Sequence, residues 1–463
     1  MTHAKTPRRK DSFQEDHIAA TATTSLPSSS LGLCVFAPLR ESVLHRFFRD
    51  VSTISIAAIV AVTLLQAATA AHAENWPRWR GPRGDGHSSA TDLPVRWDEQ
   101  SIAWRTPLKG IGQSSPIVWE DRVFLTSALE NGRQRLVFCI DARSGKALWE
   151  HVAWTGSPED SHQMNGWASA SCVTDGEIVV ASFGRGGLHA YTLDGKPLWS
   201  RDLGQFEGPW GTAACPVIVG NLVIQNGDSD ADAFIAGLDK RKGETIWKTP
   251  RFSSRGWSTP ILIDANGHSE LVLNGHNGVT AYNPLTGKEL WFCKSFNGRG
   301  EPTITPAGSV LCAVNGLAGD IYAVRPGGSG DVTETRMAWH TPRRGGRDTP
   351  SPIAIDKYVV VTDMKGVATC YDCESGREYW KDRIFGEISS SPIAANGLAY
   401  FQDEQGQTVV LKPGPKLDIV AHNSLGTKTN ELFRGSLTPI SGGFLSRSNT
   451  VLYRIGGDRV AGK

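Results

Sequence analysis

The chain has 463 residues, 40% of them hydrophobic, is rich in Gly (50) and Trp (15), and sets 48 Lys and Arg against 47 Asp and Glu for a net charge of +1. That balance excludes the clustered positive field with which nucleic-acid binders neutralise phosphates, so no nucleic-acid partner is expected. The length suits one large all-β unit as well as two average domains, and only internal repeats can decide between them.

Residues 1–73 differ in kind from the rest. Basic and Ser/Thr-rich stretches without periodicity lead to Arg46 and Arg49, then to the uncharged apolar run Val51 to Ala71, which ends Ala71-His72-Ala73 just before Glu74. A positive flank, an apolar run and an A-x-A site read as a secretory signal. The expectation is a leader over 1–73 and an exported domain over 74–463, periplasmic or secreted. The alternative is an uncleaved anchor at 51–73, since about twenty apolar residues can span a bilayer; a membrane contact is expected only in that case. No Cys follows the cleavage pattern, so a bacterial lipid anchor is not signalled.

From Glu74 onward two phrases recur. The first is a hydrophobic strand ending near Asp or Asn, a turn with Gly-Lys, then Trp, as in Cys139-Ile140-Asp141-Ala142-Arg143-Ser144-Gly145-Lys146 before Trp149 and Ala281 to Lys288 before Trp291. Further copies lead to Trp199, Trp247 and Trp380, with a degenerate one from Ala323 to Trp339; the six tryptophans stand 41 to 50 residues apart. That spacing suits one four-stranded propeller blade each. Gly supplies the positive backbone angle of a tight hairpin, and Trp covers a large apolar area between neighbouring blades.

The second phrase, of small and hydroxyl residues before a β-rich run, opens each repeat: Ser114-Ser115-Pro116, Ser169-Ala170-Ser171, Thr212-Ala213-Ala214, Ser258-Thr259-Pro260, Pro302-Thr303-Ile304, Ser351-Pro352-Ile353, Ser390-Ser391-Pro392 and Gly435-Ser436-Leu437. Innermost strands crowd the axis, so small side chains belong there. These are eight starts. About three strands follow the last, whereas Ala103-Trp104-Arg105-Thr106 reads as an outer strand with the blade tryptophan and no strands before it. The expected fold is therefore all-β, an eight-bladed propeller whose last blade is closed by an N-terminal strand. Closure of this kind hides sheet edges.

Seven cysteines fall after residue 73 (Cys139, Cys172, Cys215, Cys293, Cys312, Cys370 and Cys373). An odd number scattered through strands is no disulfide framework, and small buried hydrophobes are expected. Cys370 and Cys373 lack the second pair that zinc needs. Asp228, Asp230 and Asp232 have the opening spacing of a calcium loop, but Ala233 stands where that loop wants Gly and Asp239 where it wants Glu, so an acidic hairpin turn is the simpler reading.

Three successive inner strands open with an aromatic, Trp167, Trp210 and Trp257. At equal repeat positions they should meet at one sector of the channel mouth, where they could stack a planar ligand or a sugar, or plug gaps between blades. At the same level come Arg255, Glu301, Arg347, Asp348 and Arg434, charges of both signs that could orient a polar ligand or peptide, and Asn165 stands in the polar loop before the second repeat as a further binding candidate.

The two phrases resemble the PQQ-like (pyrroloquinoline quinone) β-propeller repeat, shared by quinoprotein dehydrogenases and the BamB factor of outer-membrane assembly. Trp76-Pro77-Arg78-Trp79-Arg80-Gly81-Pro82, His162-Gln163-Met164-Asn165 and Val173-Thr174-Asp175-Gly176 are similar to secreted PQQ-like proteins of planctomycete-type bacteria. For an enzyme, the resemblance implies PQQ and calcium held by carboxylate and amide ligands, an Asp base and an adjacent Cys pair. The chain has no Cys-Cys pair and no C-x-x-C-H for haem. With complete repeats and no assembled catalytic set, the leading expectation is a non-enzymatic exported scaffold that presents a channel mouth and loops to a protein, peptide or glycan ligand. A PQQ-dependent oxidoreductase and a BamB-like assembly factor remain the alternatives.

Overall fold

In the computed structural model, residues 74–295, 298–317, 319–342, 350–426 and 430–457 are described. The leader expected at 1–73 and two of the candidate site residues, Arg347 and Asp348, lie outside them. No helix among the described residues is long and apolar enough to cross a membrane.

The described residues form eight antiparallel sheets of four strands each, one of which carries a fifth strand added in parallel. Blade 1 runs Ile117–Trp119, Arg122–Leu129, Gln134–Asp141 and Ala147–Thr155, from the axis outward. The others repeat that order, and blade 8 takes Thr438–Ile440, Gly443–Arg447 and Val451–Gly456 from the C-terminus and Ile102–Pro107 from the N-terminus. Trp104 of that N-terminal strand pairs with Arg454, and Pro107 with Val451. Blade 5 explains its degenerate repeat: the third strand Ile321–Val324 reaches the fourth, Met337–Thr341, through an excursion whose Gly330–Asp331 docks beside Trp291 and Phe292 of blade 4.

The hairpin glycines have two duties. Gly195 sits at φ 88°, and a Cβ there would come within 2.7 Å of the indole of Trp149 from the preceding blade. Trp149 in turn donates its N–H to Leu193 O of that same hairpin at 2.9 Å. Trp104, Trp199, Trp339 and Trp380 likewise donate to the next blade's hairpin carbonyls, at Ala142, Lys240, Cys373 and Gly414. Trp247 packs on Gly287 of blade 4, while Trp291 turns to Glu270 of its own blade. Blade 7 has Ala421 at this position, opposite Val410. There Trp97 of the N-terminal segment packs between Tyr400 of blade 7 and Phe444 of blade 8.

A second device joins the blades near the axis. The backbone N–H of Cys215 donates to Thr259 Oγ1, Thr259 to Thr303 Oγ1, Thr303 to Ser351 Oγ, and Ser351 to Ser391 Oγ, at 2.9–3.0 Å. Ser391 continues to Ser436 Oγ and Ser436 to Ser115 Oγ, while Ser171 N–H meets Cys215 Sγ at 3.2 Å. Between blades 1 and 2 the join passes instead from Gln113 and Ser114 N–H to Ala168 O. The hydroxyl phrase of the sequence is therefore a belt, in which each small side chain accepts the N–H of its neighbour blade.

The seven cysteines are buried and unbridged. Burial pushes the Cys139, Cys312 and Cys370 thiols up to about 12 and Cys293 to about 11, so they stay protonated.

Candidate functional site: a blind cup on the propeller axis

The N-terminal segment closes one end of the axial channel. Trp76 pairs through its backbone with Val118 of blade 1, and Pro77 O accepts Thr174 N–H of blade 2. Farther along, Arg80 Nη2 donates to Pro352 O of blade 6, and Gly86 and Ser88 bond to Ala394 of blade 7. Blades 2 and 6 are opposite in a ring of eight, so the chain crosses the axis between them. Gly81, at φ 78°, lies against the buried Trp76 ring where no Cβ would fit. Burial lowers the Arg78 and Arg80 guanidinium groups to about 10, with Asp85 opposing. His87 Nε2 lies 2.6 Å from Ala354 O, and burial lowers its pKa as well.

The crossing leaves a cavity of about 310 Å³ that opens where the inner strands begin. Trp79 of the crossing segment forms its floor, belt residues such as Ser115, Thr259 and Ser436 its wall, and Trp210, Trp257 and Arg299 part of its rim. The sequence-predicted residues divide. Trp210 and Trp257 meet there with ring centres 6.1 Å apart, and Asn165, Glu301 and Arg434 join them. Trp167 does not: it packs on Gly132 of blade 1 and donates its indole N–H to Glu159 O at 2.8 Å, because the blade 1–2 connection folds back over it. Trp167 therefore lies between blades 1 and 2 and is not among the residues that line the cavity.

The rim is built from ion pairs stacked on indole. The guanidinium groups of Arg255 and Arg299 lie 4.4 and 4.0 Å from the Trp210 ring centre. Arg255 is held by Asp230, with Nε at 2.8 Å from Oδ1. Arg299 lies 3.7 Å from Glu301. Arg434 grips Glu404 through two contacts of 3.0 and 3.3 Å. The loop His162–Asn165 leans over the mouth, fixed by Arg434 Nη1 to Gln163 O and by Asn165 Nδ2 to Trp210 O. Sequence reasoning missed Arg299 and Trp79. Arg299 sits two residues before Glu301 in a non-repeating connection, and Trp79 sits in a segment whose crossing no periodicity announces.

The acidic turn holds no cation set. Asp228 is buried against Arg251, whose Nε is 2.6 Å from Oδ1, and the Arg251 Nη1 reaches Tyr282 OH at 2.6 Å. Burial alone would lower the Arg251 pKa, but Asp228 overrides it and the value is raised. Asp230 faces Arg255, and Asp232 is exposed at φ 53°. The carboxylates thus diverge toward separate arginines, and among the described residues no three His, Cys, Asp or Glu are grouped to hold a metal.

The donor set that the resemblance implies for quinone and calcium is not matched by the described residues. The cavity lining contributes one carboxylate, Glu301, already beside Arg299. Its one thiol, Cys215, is buried and raised in pKa, and its chain neighbours are Ala214 and Pro216, not a second Cys. The arrangement can hold, orient and desolvate a ligand.

Comparison with known proteins agrees on the architecture. A family model described as outer membrane protein assembly factor BamB matches overlapping stretches 88–208, 133–354 and 317–414. BamB of Burkholderia pseudomallei is 26% identical over 288 residues, covering 58% of this chain and 65% of the relative. The quinohemoprotein alcohol dehydrogenase ADH-IIG of Pseudomonas putida is 26% identical over 231 residues, covering 49% of this chain and 26% of the relative. The chain thus matches less than two thirds of either relative's length. The solved quinohemoprotein alcohol dehydrogenase of Comamonas testosteroni superposes with a TM-score of 0.62 at 12% identity, covering 86% of this chain and 83% of that one. With the matched stretches running over most of the propeller, the chain belongs to the PQQ-like β-propeller repeat family to which BamB gives its description.

Proposed function

We propose that the protein is an exported, non-enzymatic binding protein whose axial cup receives the exposed end of a protein, peptide or glycan ligand. The observation that supports this most is the blind cup itself: a floor made by the chain's own N-terminal segment, and a rim of indoles and arginines that are each already matched to a carboxylate. Concave sites with a few convergent polar groups are the usual seats of ligands, and fold alone assigns no chemistry. The A-x-A pattern before Glu74 supports export to the periplasm or beyond. The test is to load the exported protein with PQQ and calcium, measure retained cofactor, and assay dye-linked oxidation of alcohols and sugars. The binding reading expects no retained quinone and no turnover; cofactor-dependent turnover would replace it with the quinoprotein reading.

The family description and the B. pseudomallei relative favour a second reading, a protein partner in outer-membrane assembly. Affinity capture from envelope extracts that recovers assembly components would support it, and capture that never does would remove it.

A further inference from the structure

We infer that the cup's ligand is the terminal unit of a neutral glycan, an inference that rests on the binding reading above. Three features of the cavity carry it together. The first is charge. Arg255, Arg299 and Arg434 each have a carboxylate of their own, in Asp230, Glu301 and Glu404. Among the described residues an anionic ligand would have to displace a carboxylate and a cationic one a guanidinium, so there a net charge on the ligand gains little. Paired planar ions do suit an uncharged polyol, to which the guanidinium donates while the carboxylate accepts.

The second feature is the wall. Ser115, Thr259, Ser391 and Ser436 line the cavity, and each accepts the N–H of the preceding blade. A hydroxyl that accepts in this way still has its own O–H to donate. The same belt consumes the inner-strand N–H groups that a peptide would need to add as a strand, so main-chain recognition of a peptide has no ladder here. Half-buried Trp79 and Trp257 supply apolar surface at the floor and rim. A ligand with many hydroxyls, no charge and one C–H face matches all of these groups at once, and that is a pyranose.

The third feature is the closed floor. A polymer cannot thread through a channel crossed from blade 2 to blade 6. A cavity of about 310 Å³ lies at the small end of the range for ligand sites. Recognition is therefore end-on: one or two sugar units enter and the remainder of the chain stays in solvent.

The experiment is titration of the exported protein, by tryptophan fluorescence and calorimetry, with cello-, malto-, xylo-, manno- and N-acetylchito-oligosaccharides from dimer to hexamer. Hexagalacturonate, a heparin hexasaccharide and N-acetyl pentaalanine amide are run beside them. A neutral series is expected to bind with an affinity that stays within about threefold from trimer to hexamer and is insensitive to salt, because no counterions are released. Trp257→Ala should weaken it about tenfold or more, with Trp257→Phe recovering part, as expected for loss of an aromatic contact. Ala213→Trp, which places an indole in the cavity, should abolish binding, and Leu148→Ala on an exposed outer strand should leave it unchanged. Tighter, salt-sensitive binding of either anionic sugar overturns the inference, as does Trp257-dependent binding of the peptide; both leave the binding reading standing. No binding of any neutral sugar at ~5 mM, weaker than millimolar affinity, overturns it too. Quinone-dependent turnover would instead remove the reading beneath it.

Discussion

The two ends of the axial channel are made by opposite means. At the floor, Trp76, Arg78 and Arg80 are buried and bonded largely through backbone groups, and desolvation there is strong enough to lower both arginines. At the mouth, Arg255, Arg299 and Arg434 are partly exposed, each beside a carboxylate, which is open to solvent in Asp230 and largely buried in Glu301 and Glu404. The difference teaches that one end is settled by folding, while the other holds groups in readiness without locking them into the core. Stability should therefore be concentrated at the floor and recognition at the mouth.

The largest expected effect comes from emptying the floor. Trp76→Ala removes an indole with 1% exposure, and losses of about 3–5 kcal/mol are usual for such a site, so denaturant unfolding should shift by several times the effect of breaking the partly exposed rim pair Arg255–Asp230. Asp228→Ala leaves Arg251 buried and uncompensated beneath the rim, which costs about 3–5 kcal/mol in comparable pairs and should also appear in denaturant unfolding. In contrast, Asp230→Ala breaks a half-exposed pair with Arg255, worth about 0–1 kcal/mol; the same measurement should barely move. If Asp230→Ala proved as damaging as Trp76→Ala, the contrast between a folded floor and an available mouth would fail.

Acid should loosen the fold through its buried histidines. Burial lowers the pKa of His87 from 6.5, and burial does the same to His189 of blade 2. The unfolded chain then binds more protons than the folded one just below pH 6.5, so stability present above that value declines as the pH falls toward the lowered pKa values. Melting temperature measured from pH 7.5 downward should fall in that window, with a shallower slope for His87→Asn.

The repeat was legible because it is physical. Trp149, Trp199 and Trp380 stand where each blade must cover its neighbour, and Gly145 and Gly195 where a left-handed turn and an indole coincide. The hydroxyl phrase was legible as small side chains, although nothing in one sequence revealed that Thr259, Ser391 and Ser436 form a belt. Trp210 and Trp257 followed from equal repeat positions, yet Trp167 at the same position turned away, because the longer blade 1–2 connection gave it Glu159 to bond. Trp79, Arg299 and Trp97 lay in stretches without period, so their places depended on where the chain crosses in space. Arg251 was equally silent: its match to Asp228 spans 23 residues and is made only when two blade loops meet.

The most direct test is native-state hydrogen exchange on the exported protein, resolved by residue. The amides of Val118, Thr174, Ser88 and Ala394, bonded across the floor, should exchange only with global unfolding, whereas those of the mouth loop around Gln163 to Gly166 should exchange through local opening, orders of magnitude faster. Floor amides that exchange as fast as the mouth would mean that the channel is open at both ends, and the blind cup would be contradicted.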